Sequence, residues 1–65
     1  MQLIINGNPK QFNGINTIAQ VVSQINTSKH IIAEINGQII RSTDWDKTPV
    51  NDGDTIELVT FVGGG

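Results

Sequence analysis

The chain has 65 residues and a formal net charge of −2, with a pI near 4.9; it is long enough for one domain with one small core. It has no cysteine and one histidine, which excludes a disulfide scaffold, a cysteine-based zinc site and a histidine-rich metal site. The acidic balance argues against a nucleic-acid-binding domain.

The opening MQLIING is a β-rich run closed by Asn6-Gly7, a strong hairpin signal. Alternation sends Met1, Leu3 and Ile5 to one face and Ile4 to the other. The return strand reads as PKQFN, with Phe12 as its main apolar contribution and Pro9 marking an edge strand. In NTIAQVVSQIN, the residues Ile18, Val21, Val22 and Ile25 recur with the spacing of one helical face. Thr17 and Gln20 form a capping-box pattern at its start, and Asn26 is a candidate left-handed residue at its end. Three β-branched residues lower the intrinsic helix propensity, so tertiary packing must hold this helix.

IIAEING is a second strand ending in Asn36-Gly37, after which QII is placed to pair back. Ile31, Ala33 and Ile35 share one face, Ile32 and Glu34 the other. RSTDWDKTPV has no sustained period; Thr43 is the expected cap of a short helical turn carrying Trp45, which packs over one end of the core. NDGD is a turn and TIELVTFV the final strand. Ile56 and Leu58 face inward, with Glu57, Val59 and Phe61 opposite. The first and last strands are both apolar and belong side by side at the sheet centre, with the helix over one face. The fold expected is α+β: a β-grasp, or ubiquitin-like, domain over residues 1–62, a mixed sheet of four to five strands with one main helix, followed by a flexible glycine tail at 63–65.

Side-chain chemistry is sparse. There is no cysteine, and His30, at a strand entrance, reads as a surface residue. Asp44 and Asp46 lack calcium-loop spacing and read as helix-terminus charges; Asp52 and Asp54 read as turn formers. Of the six acidic residues, all but Glu34 lie between Asp44 and Glu57, accompanied only by Lys47. That half is an acidic surface, suited to a basic partner or to solubility alone. The sequence shows neither a signal-peptide pattern nor an apolar run of membrane-spanning length, so a cytoplasmic location is expected and Asn26-Thr27-Ser28 is discounted as a glycosylation site.

The ending FVGGG is different. Three extended glycines reach roughly 10 Å and can thread a channel too narrow for side chains. What they would deliver is the Gly65 carboxylate, ionised at neutral pH and a poor electrophile until activated, for instance as an acyl-adenylate. Taken alone, the glycines are weak evidence and read more simply as a disordered end or an engineered linker.

The stretch from Ile31 to Gly65, IIAEINGQIIRSTDWDKTPVNDGDTIELVTFVGGG, closely resembles the sulfur-carrier protein of thiamine biosynthesis, the ThiS family. The pattern is an apolar strand into Asn36-Gly37, an apolar pair, Arg41, Trp45, Pro49-Val50, a Gly53-Asp54 turn, an apolar strand and terminal glycines. MQLIING and the TIAQVV helix extend the resemblance over essentially the whole chain. It implies a carrier that is not itself an enzyme and binds no cofactor, with ATP used by a partner activating enzyme that adenylates Gly65. Sulfur from a cysteine desulfurase or another donor would then give a thiocarboxylate on Gly65, which passes sulfur to thiazole synthase. Gly63 and Gly64 would be the slender leader. Ile4, Val59 and Phe61, on the sheet face away from the helix, are candidate docking residues for these enzymes. Three alternatives remain: a carrier of the molybdopterin synthase type, although ELVTFVGGG lacks the proline common in that family's approach to the tail, a carrier for cysteine or another sulfur metabolite, and a non-covalent ubiquitin-like binding module.

Overall fold

Two Asn-Gly pairs turn the chain back on itself. Asn6 and Gly7 have φ of 50° and 84°, Asn36 and Gly37 of 50° and 88°, so both central positions of each turn are left-handed, as tight two-residue hairpins require. The first turn joins β1 (Gln2–Ile5) to β2 (Asn8–Gln11). The second joins β3 (Ile31–Ile35) to β4 (Gln38–Ile40). The final strand, β5 (Thr55–Thr60), lies between the two hairpins, parallel to β1 and antiparallel to β3. The computed structural model describes residues 1–25 and 30–60, and within them the sheet order is β2-β1-β5-β3-β4. The expected pairing of first and last strands is therefore present, and Pro9 sits on an outer strand where its missing N–H breaks no ladder.

A two-turn helix, α1 (Ile18–Ile25), buries Ile18, Val21 and Val22 and half-buries Ile25, as the spacing predicts. These residues meet Leu3 and Ile5 of β1, Ala33 of β3, and Ile56 and Leu58 of β5 in one core, closed by Phe12, Ile15 and Val50. The apolar stripe of the helix, rather than its propensity, is what holds it. Among the described residues no helix is long and apolar enough to cross a membrane.

Four details differ from the expectations. The return strand ends at Gln11 instead of running to Asn13. Phe12 keeps the ladder, donating its N–H to the Met1 carbonyl at 2.8 Å and accepting from the Met1 nitrogen at 3.0 Å, while its ring is buried in the core. Only half of the capping box forms: Gln20 Oε1 accepts the N–H of Asn16 at 2.6 Å and of Thr17 at 3.0 Å, whereas Gln20 N–H donates to the Thr17 carbonyl rather than to its hydroxyl. The Trp45 turn is a 3₁₀ segment, Ser42–Lys47, flanked by Arg41 without a side-chain cap. Thr43 is therefore inside it and does not cap it. Trp45 fills its expected place, half-buried against the core with its indole N–H donating to the Ile40 carbonyl at 3.0 Å. The fourth detail is that Asp52 and Asp54 do more than form a turn. An Asp52 carboxylate oxygen accepts the Gln2 N–H at 2.7 Å, and Asp54 accepts from Asn51 N–H at 2.8 Å. Asn26, Phe61 and the proposed boundary between 62 and 63 lie outside the described residues.

Asn6 has a second role beyond its turn. Its side-chain amide donates to the Leu58 carbonyl at 3.2 Å and accepts the Leu58 N–H at 2.7 Å. Strand β1 has turned away by this point, so the amide stands in for the next strand residue. Asn36 bridges to the start of β5 on the β3 side, with Oδ1 accepting the Thr55 N–H at 3.0 Å and Nδ2 donating to the Asp54 carboxylate at 3.1 Å. Substituting Asn6→Ala should cost about 2 kcal/mol, because it strands both backbone groups of a half-covered site and places a Cβ residue at positive φ without a polar compensation. Urea denaturation measures this directly, and Asn6→Asp, which keeps the acceptor and loses the donor, should fall between the two.

Candidate functional site

β5 is the last described element before the glycines in the sequence. Its pairing with β3 runs from Ile35–Ile56 to Ile31–Thr60, and its other edge is held by β1 and then by Asn6. The strand is thus held on both sides as far as Leu58 and by β3 alone at Val59 and Thr60, ahead of Gly63, Gly64 and Gly65 in the sequence. Those glycines, with Phe61, lie outside the described residues.

The sheet face away from α1 carries the other expected site. Val59 is 48% exposed, and Ile4 is half-buried with its side opposite to Leu3 and Ile5. The registers add two residues that sequence reasoning did not assign to docking. Ile32 pairs with Val59 across β3 and β5, and Ile39 on β4, 62% exposed, pairs with Glu34. Alternation along IIAEI already put Ile32 on this side; Ile39 required the β3–β4 register. Ile4, Ile32, Val59 and Ile39 thus share a face with Glu34 and Glu57, which are register partners of one another.

The remaining polar candidates are dispersed. His30 is exposed just before β3, and Asp44 and Asp46 lie exposed in the 3₁₀ segment. Among the described residues no polar or charged side chain is buried, and no three His, Cys, Asp or Glu side chains gather where a metal could be held.

A model of the ThiS family matches residues 3–65. The chain belongs to the ThiS family. Its sheet and helix form the β-grasp fold of that family: the crystal structure of a thiamine biosynthesis protein (ThiS) from Geobacter metallireducens matches with a TM-score of 0.80 at 30% identity, covering 100% of both chains. An NMR solution structure of a thiamine biosynthesis protein from the same organism matches equally well, with a TM-score of 0.80 and 30% identity over 100% of this chain and 88% of that one. A protein named thiazole synthase from Paramagnetospirillum magneticum is 33% identical over 66 residues. This ThiS-family chain spans only 20% of that relative's length.

Proposed function

We propose that the chain is a protein-bound sulfur carrier for thiazole formation in thiamine biosynthesis, acting as a cosubstrate of other enzymes in the cytoplasm. The observation that carries this reading is the family match through residue 65, which takes in Gly63, Gly64 and Gly65 together with the strand that leads to them. In the reaction proposed, a Gly65 carboxylate oxygen attacks the α-phosphorus of ATP on an activating enzyme and displaces pyrophosphate. The resulting acyl-adenylate has AMP as its leaving group. A hydrosulfide, or the outer sulfur of a persulfide formed by a cysteine desulfurase, attacks the carbonyl and releases AMP. Hydrosulfide gives the Gly65 thiocarboxylate directly, whereas the persulfide gives an acyl disulfide whose S–S bond a second thiol cleaves, releasing the thiocarboxylate and leaving the donor cysteine in a disulfide. Gly63 and Gly64 carry the reacting carbon into enclosed sites, since backbone without Cβ passes where side chains would clash. The carrier contributes no catalytic side chain and no cofactor of its own; ATP belongs to the activating enzyme.

The proposed recipient is a thiazole synthase. Support comes from the relative of that name, which contains a stretch alignable with the whole of this chain inside a much longer protein. Docking is assigned to the outer sheet face, with Ile4 and Val59 as contacts and Phe61 as a third.

Intact and carboxyl-terminal-peptide mass spectrometry tests both parts. Incubated with ATP, an adenylating enzyme and a sulfur source, the chain should gain an adenylate and then exchange one oxygen of Gly65 for sulfur. Sulfur should appear in thiazole product once the synthase is added. A carboxylate left unmodified beside a control carrier that reacts would move the assignment to a non-covalent binding module. In the same assay Val59→Arg, an exposed position that a charge does not disrupt, should cut adenylation at least about tenfold while leaving the urea midpoint in place. Full adenylation of the folded variant removes Val59 from the interface.

A further inference from the structure

Glu34 and Glu57 face each other directly across β3 and β5. On the outer face, register partners bring their Cβ atoms to roughly 5 Å, and like charges so placed destabilise a sheet. Glu34 is also half-buried, with Glu57 on one side and Ile39 on the other. The Ile32–Val59 pair lies one step further along the same face, and Ile4, partner of Thr55, sits on the diagonal from Glu57. Two like charges set opposite one another in the middle of an apolar surface oppose the pairing of β3 with β5. Local rules are broken in this way where a surface is shaped by what binds it.

The geometry points to a protein partner that presents an apolar surface with an arginine or lysine at its centre, inserted between Glu34 and Glu57. This deepens the carrier reading, on which it rests, by stating the chemistry that the activating enzyme brings to the carrier. Charge decides among the occupants of the face. A second copy would meet it through a two-fold axis, which sets identical patches against each other. Four carboxylates would then be enclosed between two chains that each carry a formal charge of −2. A nucleic acid is repelled by the same pair. A basic side chain, in contrast, removes the repulsion between the two glutamates and gains two charge-assisted hydrogen bonds in a site that the surrounding isoleucines and valine dry on closure.

The pair Glu34→Gln/Glu57→Gln isolates this effect, since the amides keep the shape and lose the charge. Stability should not fall, and the urea midpoint of the double variant should equal or exceed that of the original chain. Affinity for the adenylating enzyme, read by titration calorimetry, should drop about tenfold or more, and the dependence of association rate on salt should flatten. Adenylation at saturating carrier should proceed at the original rate, because the tail is untouched. An unchanged affinity in the double variant, with the original chain adenylated normally, overturns the inference and leaves the carrier reading standing. An original chain that is neither bound nor adenylated overturns both. Self-association of the original chain in sedimentation, lost on Val59→Arg, would give the face to a second copy and refute a basic partner.

Discussion

A chain extended by one alanine after Gly65 is expected to fold normally and to yield no adenylate. The physical reason lies in where the reactive group sits. Extension converts the Gly65 carboxylate into a peptide carbonyl and places a new carboxylate about 3.5 Å further out, on a carbon that bears a methyl group. The new end must pass through a space shaped for glycine and overshoots the phosphorus it should meet. A misplacement of that order removes most of the advantage of a bound, oriented reactant, and effective molarities of about 10⁵ M and above are what such orientation is worth. Loss of at least about 10³-fold in adenylation rate, with an unshifted urea midpoint, is the expected outcome. Removal of Gly65 should be as damaging, because the leader then falls short. If the extended chain is adenylated at the original rate, the carboxylate is not the reacting group, and the inert-tail reading of the glycines prevails.

The largest effect on stability is expected at Ile56. Its side chain is fully buried, along with Leu3, Ile18 and Val21. It also sits where β1 and β3 both meet β5, paired with Ile5 on one side and Ile35 on the other. Ile56→Ala removes three carbons from a site with rigid walls, and such deletions cost about 2–5 kcal/mol. A domain of this length has a total stability of roughly 3–10 kcal/mol. The substitution therefore consumes a large share of it, and the variant should be partly unfolded at room temperature. Ile56→Val, which removes one methyl, should cost about 1 kcal/mol and keep the fold. Denaturation of the three proteins in urea gives the comparison, and an Ile56→Ala variant no less stable than Ile56→Val would mean that the site collapses around the deletion.

Much of this architecture could be read along the chain. Alternation in β1, the helical spacing of Ile18, Val21, Val22 and Ile25, and two Asn-Gly pairs are local signals, and each marked its element correctly. The outer-face positions of Ile4 and Val59 followed from the same alternation. What could not be read are interactions between residues far apart in sequence. Nothing near Asn6 announces that its amide meets Leu58, since the asparagine is already accounted for by its turn. Asp52 likewise looks like a turn former until the Gln2 N–H appears beside it. The Glu34–Glu57 pair depends on the β3–β5 register, which a one-residue slip would abolish, moving each side chain to the opposite face. Thr43 does not cap the Trp45 turn because the 3₁₀ segment begins one residue earlier, at Ser42, after Arg41 with no side-chain cap.

The position of β5 also dictates the order in which the protein can assemble. Each hairpin closes on nearby residues and can be sampled early, but β1–β2 and β3–β4 share no edge until the last strand slides between them. Neither hairpin alone has the strands to be stable in water. Joining β1 to β5 closes a loop of nearly the whole chain, an entropic cost that must be met before the central contacts repay it. Folding should therefore be all-or-none and slow for so small a protein. On the ribosome the sheet stays open until Thr55–Thr60 has emerged, so a nascent chain acquires its structure only when the segment preceding its glycines is already made.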